Sequence, residues 1–178
     1  MRYVALLRGI NVGGNNIIKM AVLKECFEKI GFRNVRTVIA SGNVIFETRG
    51  SAIALATRIE KTLSKEFGFP ARVVVLDEDE LESVVKSAPR GFGKEPTKYR
   101  YDVFFIKAPL TSKKAMDVIE LKEGVDDARA GKDAIYFRRL EASVSSSRIN
   151  KIVGKPEYKF MTGRNWNTTT KLLKFIKE

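Results

Sequence analysis

The chain has 178 residues, of which 44% are hydrophobic and 30% charged, so it can bury a core, and its length fits either one large domain or two small ones. Histidine is absent, which excludes the usual general base, the Ser-His and Cys-His nucleophile pairs and His-based zinc or iron sites. The formal net charge of +12 sets up a field that draws polyanions, so nucleic acid or a phosphorylated ligand is an expected partner, beside the plainer reading of a lysine-rich surface that only keeps the protein dissolved.

Tyr3 to Leu7 is a short apolar run closed by the Gly/Asn-rich stretch from Arg8 to Asn16, the pattern of a buried strand and a loop. Met20, Leu23, Phe27 and Ile30 recur at spacings of three and four before Gly31, which predicts a helix and its stop. Val35 to Ala40 and Val44 to Glu47 are β-branched runs joined by Ser41-Gly42-Asn43, a predicted hairpin. Leu55, Ile59, Leu63 and Phe67 form a second helical stripe ending at Gly68, and Ala71 to Leu76 reads as another strand. The order is βαββαβ.

Asp77 and Glu80 flank the start of a helix carrying Leu81, Val84 and Val85, so the acidic run 77–80 reads as a capping box rather than a metal site. Pro89 to Lys98 is rich in Gly, Pro and Lys and reads as a mobile basic connector. Beyond it the order returns: a strand from Tyr99 to Ile106, a helix from Ser112 to Ile119, and a hairpin of Val125 to Ala130 with Ala134 to Arg138 turned at Gly131-Lys132. Leu140 to Val153 is a weak helix, Tyr158 to Thr162 a closing strand and Trp166 to Ile176 an amphipathic helix. The expectation is an α+β chain of two tandem ferredoxin-like (βαββαβ) domains, residues 1–76 and 99–178, joined by a linking helix and basic loop at 77–98, with extra helices in the second.

No apolar run approaches the roughly 18 residues of a membrane span, and Tyr3 to Leu7 is too short for a signal peptide, so the expected location is the cytoplasm with no membrane partner. Cys26, the one cysteine, has no partner for an intramolecular disulfide and reads as a buried, inert thiol.

Three segments stand out together: Arg8 to Gly14 (RGINVGG), Ser41 to Val44 (SGNV) and Arg164 to Leu172 (RNWNTTTKL). They resemble the R-G-I-N-V-G-G opening, S-G-N-V hairpin and R-N-W-x-T-x-T-K-L tail of the bacterial domain-of-unknown-function family 1697, with Asn167 and Thr169 at positions where that family varies. The resemblance implies two ferredoxin-like plaits and brings no activity, substrate, cofactor or catalytic residue with it.

In a plait the loop after the first strand and the turn of the hairpin lie at one end of the sheet. Arg8, Asn11, Gly13, Gly14, Asn15, Ser41 and Asn43 are therefore expected to meet, and glycine-exposed N–H groups beside an arginine suit an anion. The competing reading is that the glycines permit tight turns while the asparagines bond their own backbone. Arg164, Asn165, Trp166 and Lys171 crowd a helix start, which offers a second anion-binding end or, more plainly, a capped and anchored helix.

Three functions compete. The first is a non-catalytic module binding a phosphorylated or nucleic-acid ligand. RNA readout on the first hairpin is disfavoured, because Asn43 and Ile45 stand where stacking rings are needed. The second is an acylphosphatase-like hydrolase in which Arg8 neutralises phosphoryl oxygens and Asn43 orients water, although Arg8 opens the loop where that pattern has its arginine at the far end. The third is an interaction scaffold of undetermined oligomeric state.

Overall fold

A computed structural model describes residues 1–39 and 42–178. The chain is α+β, with two four-stranded antiparallel sheets. It divides into two compact units, one of Met1–Glu82 with Leu172–Glu178 and one of Ser83–Lys171.

The first unit runs β1 (Arg2–Leu7), α1 (Met20–Lys29), β2 (Arg33–Val38), β3 (Asn43–Glu47), α2 (Ala52–Phe67) and β4 (Val73–Asp77), with strand order β2-β3-β1-β4. Period-two alternation sends Tyr3, Ala5 and Leu7 to one face of β1, where they meet Val44 and Phe46 of β3 and the apolar stripes of α1 and α2. Phe46 is the centre of this core: it stacks on Phe32 at 4.5 Å and meets the edge of Phe27 at 5.5 Å. Burying each such ring is worth about 1.5–3 kcal/mol. Cys26 lies in the same core, and burial pushes its thiol pKa up, with Glu66 and Glu25 adding to the shift, so an inert thiol is what the fold makes of it. Val4 and Leu6, on the opposite face, are also fully buried.

The helix ends follow the local chemistry. Ser51 caps α2 by accepting the Ala54 N–H at 3.3 Å. At α3 (Glu78–Lys86) the Asp77 carboxylate accepts the Glu80 N–H at 2.8 Å, and the Glu80 carboxylate accepts the Asp77 N–H at 2.9 Å. This reciprocal capping box explains the acidic run without a metal.

The second unit holds β5 (Tyr99–Ile106), α4 (Ser112–Val118), β6 (Asp126–Ala130), β7 (Ala134–Leu140) and β8 (Met161–Asn165), in the order β6-β7-β5-β8, and the first residues of α5 (Trp166–Lys177). Phe104, Ile106, Ile135 and Phe137 face Ala115 of α4 and Ile149, Ile152 and Met161. The region predicted as a helix from Leu140 to Val153 is instead the end of β7 and two 3-10 turns, Glu141–Ser146 and Ile149–Gly154, with a third, Pro156–Phe160, after them. Its serines compete for the backbone, as when the Ser146 hydroxyl donates to the Ser143 carbonyl at 2.9 Å, and Pro156 lacks an N–H. The last turn displaces the closing strand from the expected Tyr158–Thr162 to Met161–Asn165. Asp126 ties this irregular stretch to the sheet, its carboxylate accepting the backbone N–H of Lys122 and of Arg148, both at 2.9 Å.

Among the described residues no helix is long and apolar enough to cross a membrane, and no three His, Cys, Asp or Glu side chains are grouped to hold a metal ion.

Candidate functional site

The opening loop and the hairpin turn do share a rim. The Leu7 N–H donates to the Gly42 carbonyl at 2.8 Å, and a Cβ added at Gly42 would stand 2.6 Å from Ile10 Cδ1, so this position requires glycine. Ser41 lies outside the described residues, as does Ala40, the last residue of the strand predicted from Val35 to Ala40.

On that rim the asparagines are bound up in the fold. The Asn11 side chain donates to the Ile18 carbonyl at 3.0 Å and accepts the Ile18 N–H at 2.8 Å, closing the loop like a clasp. Asn16 donates to the Gly9 carbonyl at 3.0 Å. Asn43 is fully buried, and its amide donates to the Val38 carbonyl at 2.9 Å. That bond ties Asn43 into the hairpin, away from solvent. Gly13 and Gly14, at φ +59° and +78°, turn the loop so that the Asn15 N–H reaches the Val12 carbonyl at 3.1 Å. These two glycines and Asn15 are exposed, and Arg8 is half-buried with its own N–H bonded to the Arg72 carbonyl at 2.9 Å.

The tail residues Arg164 to Lys171 belong to the second unit. Asn165 caps α5 by accepting the Thr168 N–H at 3.0 Å. Arg164 donates to the Gly163 carbonyl at 2.7 Å and to the Thr162 hydroxyl at 3.1 Å, and desolvation lowers its pKa to about 10, which still leaves it a cation at neutral pH. Trp166 meets the Phe92 ring edge-on at 5.1 Å, a contact that packs it against the segment before β5. Lys171 is exposed.

The sequence reading missed a cleft of about 220 Å³ in the second unit. The sheet register builds it. Tyr101 pairs with Arg138, Arg138 with Asp127, and Arg129 with Tyr136, so these five side chains share one face of β5, β7 and β6. The fourth wall is Pro89 to Phe92, the first part of the segment 89–98 expected to be a mobile connector. Phe92 ties it down, lying edge-on to Tyr101 at 4.9 Å and to Tyr136 at 5.6 Å, while its N–H bonds the Pro89 carbonyl at 2.9 Å. Arg90, on the same segment, joins Arg129 and Arg138 in lining the cleft. The strand sequence DDARA opposite AIYFRR carried the signal, because period-two alternation aligns Asp127 and Arg129 with Tyr136 and Arg138 once the hairpin register is known.

The electrostatics of the cleft are one-sided. Arg138 donates to the Asp127 carboxylate at 3.2 Å and lies over the Tyr99 ring at 4.6 Å. Arg90 and Arg129 are exposed and make no ion pair among the described residues. The Tyr136 hydroxyl donates to the Val84 carbonyl at 2.6 Å, and desolvation raises its pKa to about 12, so it is no base near neutral pH. What remains is a set of positive, bidentate donors at the mouth of an aromatic hollow.

A family model described as "Protein of unknown function (DUF1697)" matches residues 1–136. The chain belongs to that family. The matched DUF1697 span holds both opening segments and the whole cleft except Arg138, while the tail from Arg164 lies beyond it. Among solved structures, the chain is similar to that of the conserved bacterial protein SP0830 from Streptococcus pneumoniae, with 27% identity and a TM-score of 0.85 over 99% of this chain and 98% of the other. No curated protein matches the chain.

Proposed function

We propose that this DUF1697 protein is a non-catalytic module that binds a phosphorylated or nucleic-acid ligand through the arginine-lined cleft of its second unit. The observation that carries the reading is that Arg90 and Arg129 stand at one cleft with exposed guanidinium groups and no carboxylate paired to either among the described residues. Arginine presents a planar fork matched to phosphate oxygens, and a basic chain raises the local concentration of anions. A hydrolytic role has less behind it, since the cleft's one carboxylate, Asp127, is engaged by Arg138, and Tyr136, one of its two buried phenols, is held protonated.

The same reading takes the two units as tandem ferredoxin-like plaits, cut at 1–76, 77–98 and 99–178. Each sheet supports it by setting its first and third strands at the centre and its second and fourth at the edges. In the second unit, 3-10 turns stand where the plait's second helix runs. The test is equilibrium binding of labelled phosphate compounds and oligonucleotides to the intact chain and to Arg129→Ala. Binding that weakens steeply with salt and with the substitution is expected; affinity untouched by the substitution ends the reading.

A further inference from the structure

We infer that the ligand of this cleft is a single phosphomonoester, carried by a small molecule or a side chain, and not a nucleic-acid strand. The inference rests on the preceding proposal and narrows it by volume, by the accessibility of the rings and by charge.

The cleft measures about 220 Å³. Pockets for drug-sized ligands run from roughly 300 to 1,000 Å³, so this one has room for a phosphate and the few atoms attached to it rather than a nucleotide and its neighbours.

The aromatic floor is closed to bases. Tyr101 is 6% exposed and Tyr136 is 3% exposed, with Phe92 edge-on to both rings. Single-stranded nucleic acid binds sheets of this kind by laying successive bases on open ring faces, and the Phe92 ring occupies that position. Tyr99, the next ring along β5, has the Arg138 guanidinium over it and the Lys98 ammonium 5.0 Å from its centre. The rings shape and rigidify the hollow, and neither Tyr101 nor Tyr136 offers an open face to a base.

The charge fits one phosphate group. The ionic groups lining the cleft are Arg90, Arg129, Arg138 and Asp127, so three guanidiniums against one carboxylate leave two positive charges in excess. A phosphomonoester carries about −1.5 to −2 at pH 7, its second proton leaving near pH 6, whereas a phosphodiester never exceeds one negative charge. Arg90 and Arg129 each offer an exposed fork to the phosphate oxygens, and Arg138, already held by Asp127, adds the third positive charge at a fixed place. The chain has no histidine, and the cleft's other titratable side chains are Asp127, Tyr101 and Tyr136. The second ionisation of the monoester near pH 6 sets the expected pH dependence: affinity rises from about pH 5 to about pH 7 as the monoester becomes a dianion.

Isothermal titration of the full-length protein at about physiological ionic strength decides the matter, using phenyl phosphate, inorganic phosphate and a single-stranded oligonucleotide without terminal phosphates. The expected result is saturable binding of both phosphates that tightens with rising pH and weakens about tenfold or more in Arg90→Ala and in Arg129→Ala, each losing a charge-assisted fork. Both residues are exposed, so the variants keep the wild-type circular dichroism, and Lys24→Ala, which removes one exposed charge paired with Glu28, keeps the wild-type affinity. Oligonucleotide binding that depends on Arg129, with neither phosphate bound, overturns the phosphomonoester inference while leaving the broader proposal standing. Absence of binding by all three probes overturns both.

Discussion

The rim of the first unit and the cleft of the second use polar residues in opposite ways. On the rim, Asn11, Asn16 and Asn43 turn their amides toward backbone carbonyls, so the Asn/Gly-rich loop that looks most like a binding motif is chiefly a device for closing itself. In the cleft, Arg90 and Arg129 keep exposed guanidinium heads, while aromatic rings beneath them carry the packing. A polar side chain signals binding only when folding has not already consumed its hydrogen bonds, and composition alone does not tell the two cases apart.

Substitutions at the two places sharpen the contrast, because the rim governs stability and the cleft governs affinity. The largest stability effect is expected for Asn43→Ala, which leaves the Val38 carbonyl without its side-chain donor in a buried hairpin and costs about 2 kcal/mol in urea unfolding. Asn11→Ala removes both halves of the loop clasp and costs about 1–2 kcal/mol by the same measurement, less than Asn43 because the loop is partly solvated. Gly13→Ala forces a left-handed alanine into an exposed turn with no steric clash and costs about 1 kcal/mol, read as a fall in melting temperature. Arg129→Ala is expected to shift stability by no more than about 0.5 kcal/mol while abolishing most of the phosphate affinity. The contrast breaks if Asn43→Ala lowers affinity at unchanged stability, or if Arg129→Ala unfolds the second unit.

The regular elements were legible because local chemistry and periodicity agreed. The stripe Leu55, Ile59, Leu63 with Ser51 before it and Gly68 after it marks a helix from either end, and the Asp77 and Glu80 pair marks the next. The stretch from 141 to 160 was not legible as 3-10 turns, because its scattered apolar residues fit a weak helical period and the serines that break it do so through bonds visible only in three dimensions. Of the candidate site, the meeting of the Arg8 loop with the Gly42 turn followed from strand order. The cleft did not. Arg90 is far in the chain from the hairpin that carries Arg129 and Arg138, and the three converge only through the register of β6 on β7 and the docking of Phe92, a single ring in a segment rich in Gly, Pro and Lys.

The most direct measurement is a crystal structure of the protein soaked with tungstate, a dense mimic of phosphate. A peak held between the guanidinium groups of Arg90, Arg129 and Arg138, with the Asn11 clasp unoccupied, is the expected result. A peak at the Gly13-Gly14 turn above an empty cleft would contradict it and return the anion site to the first unit.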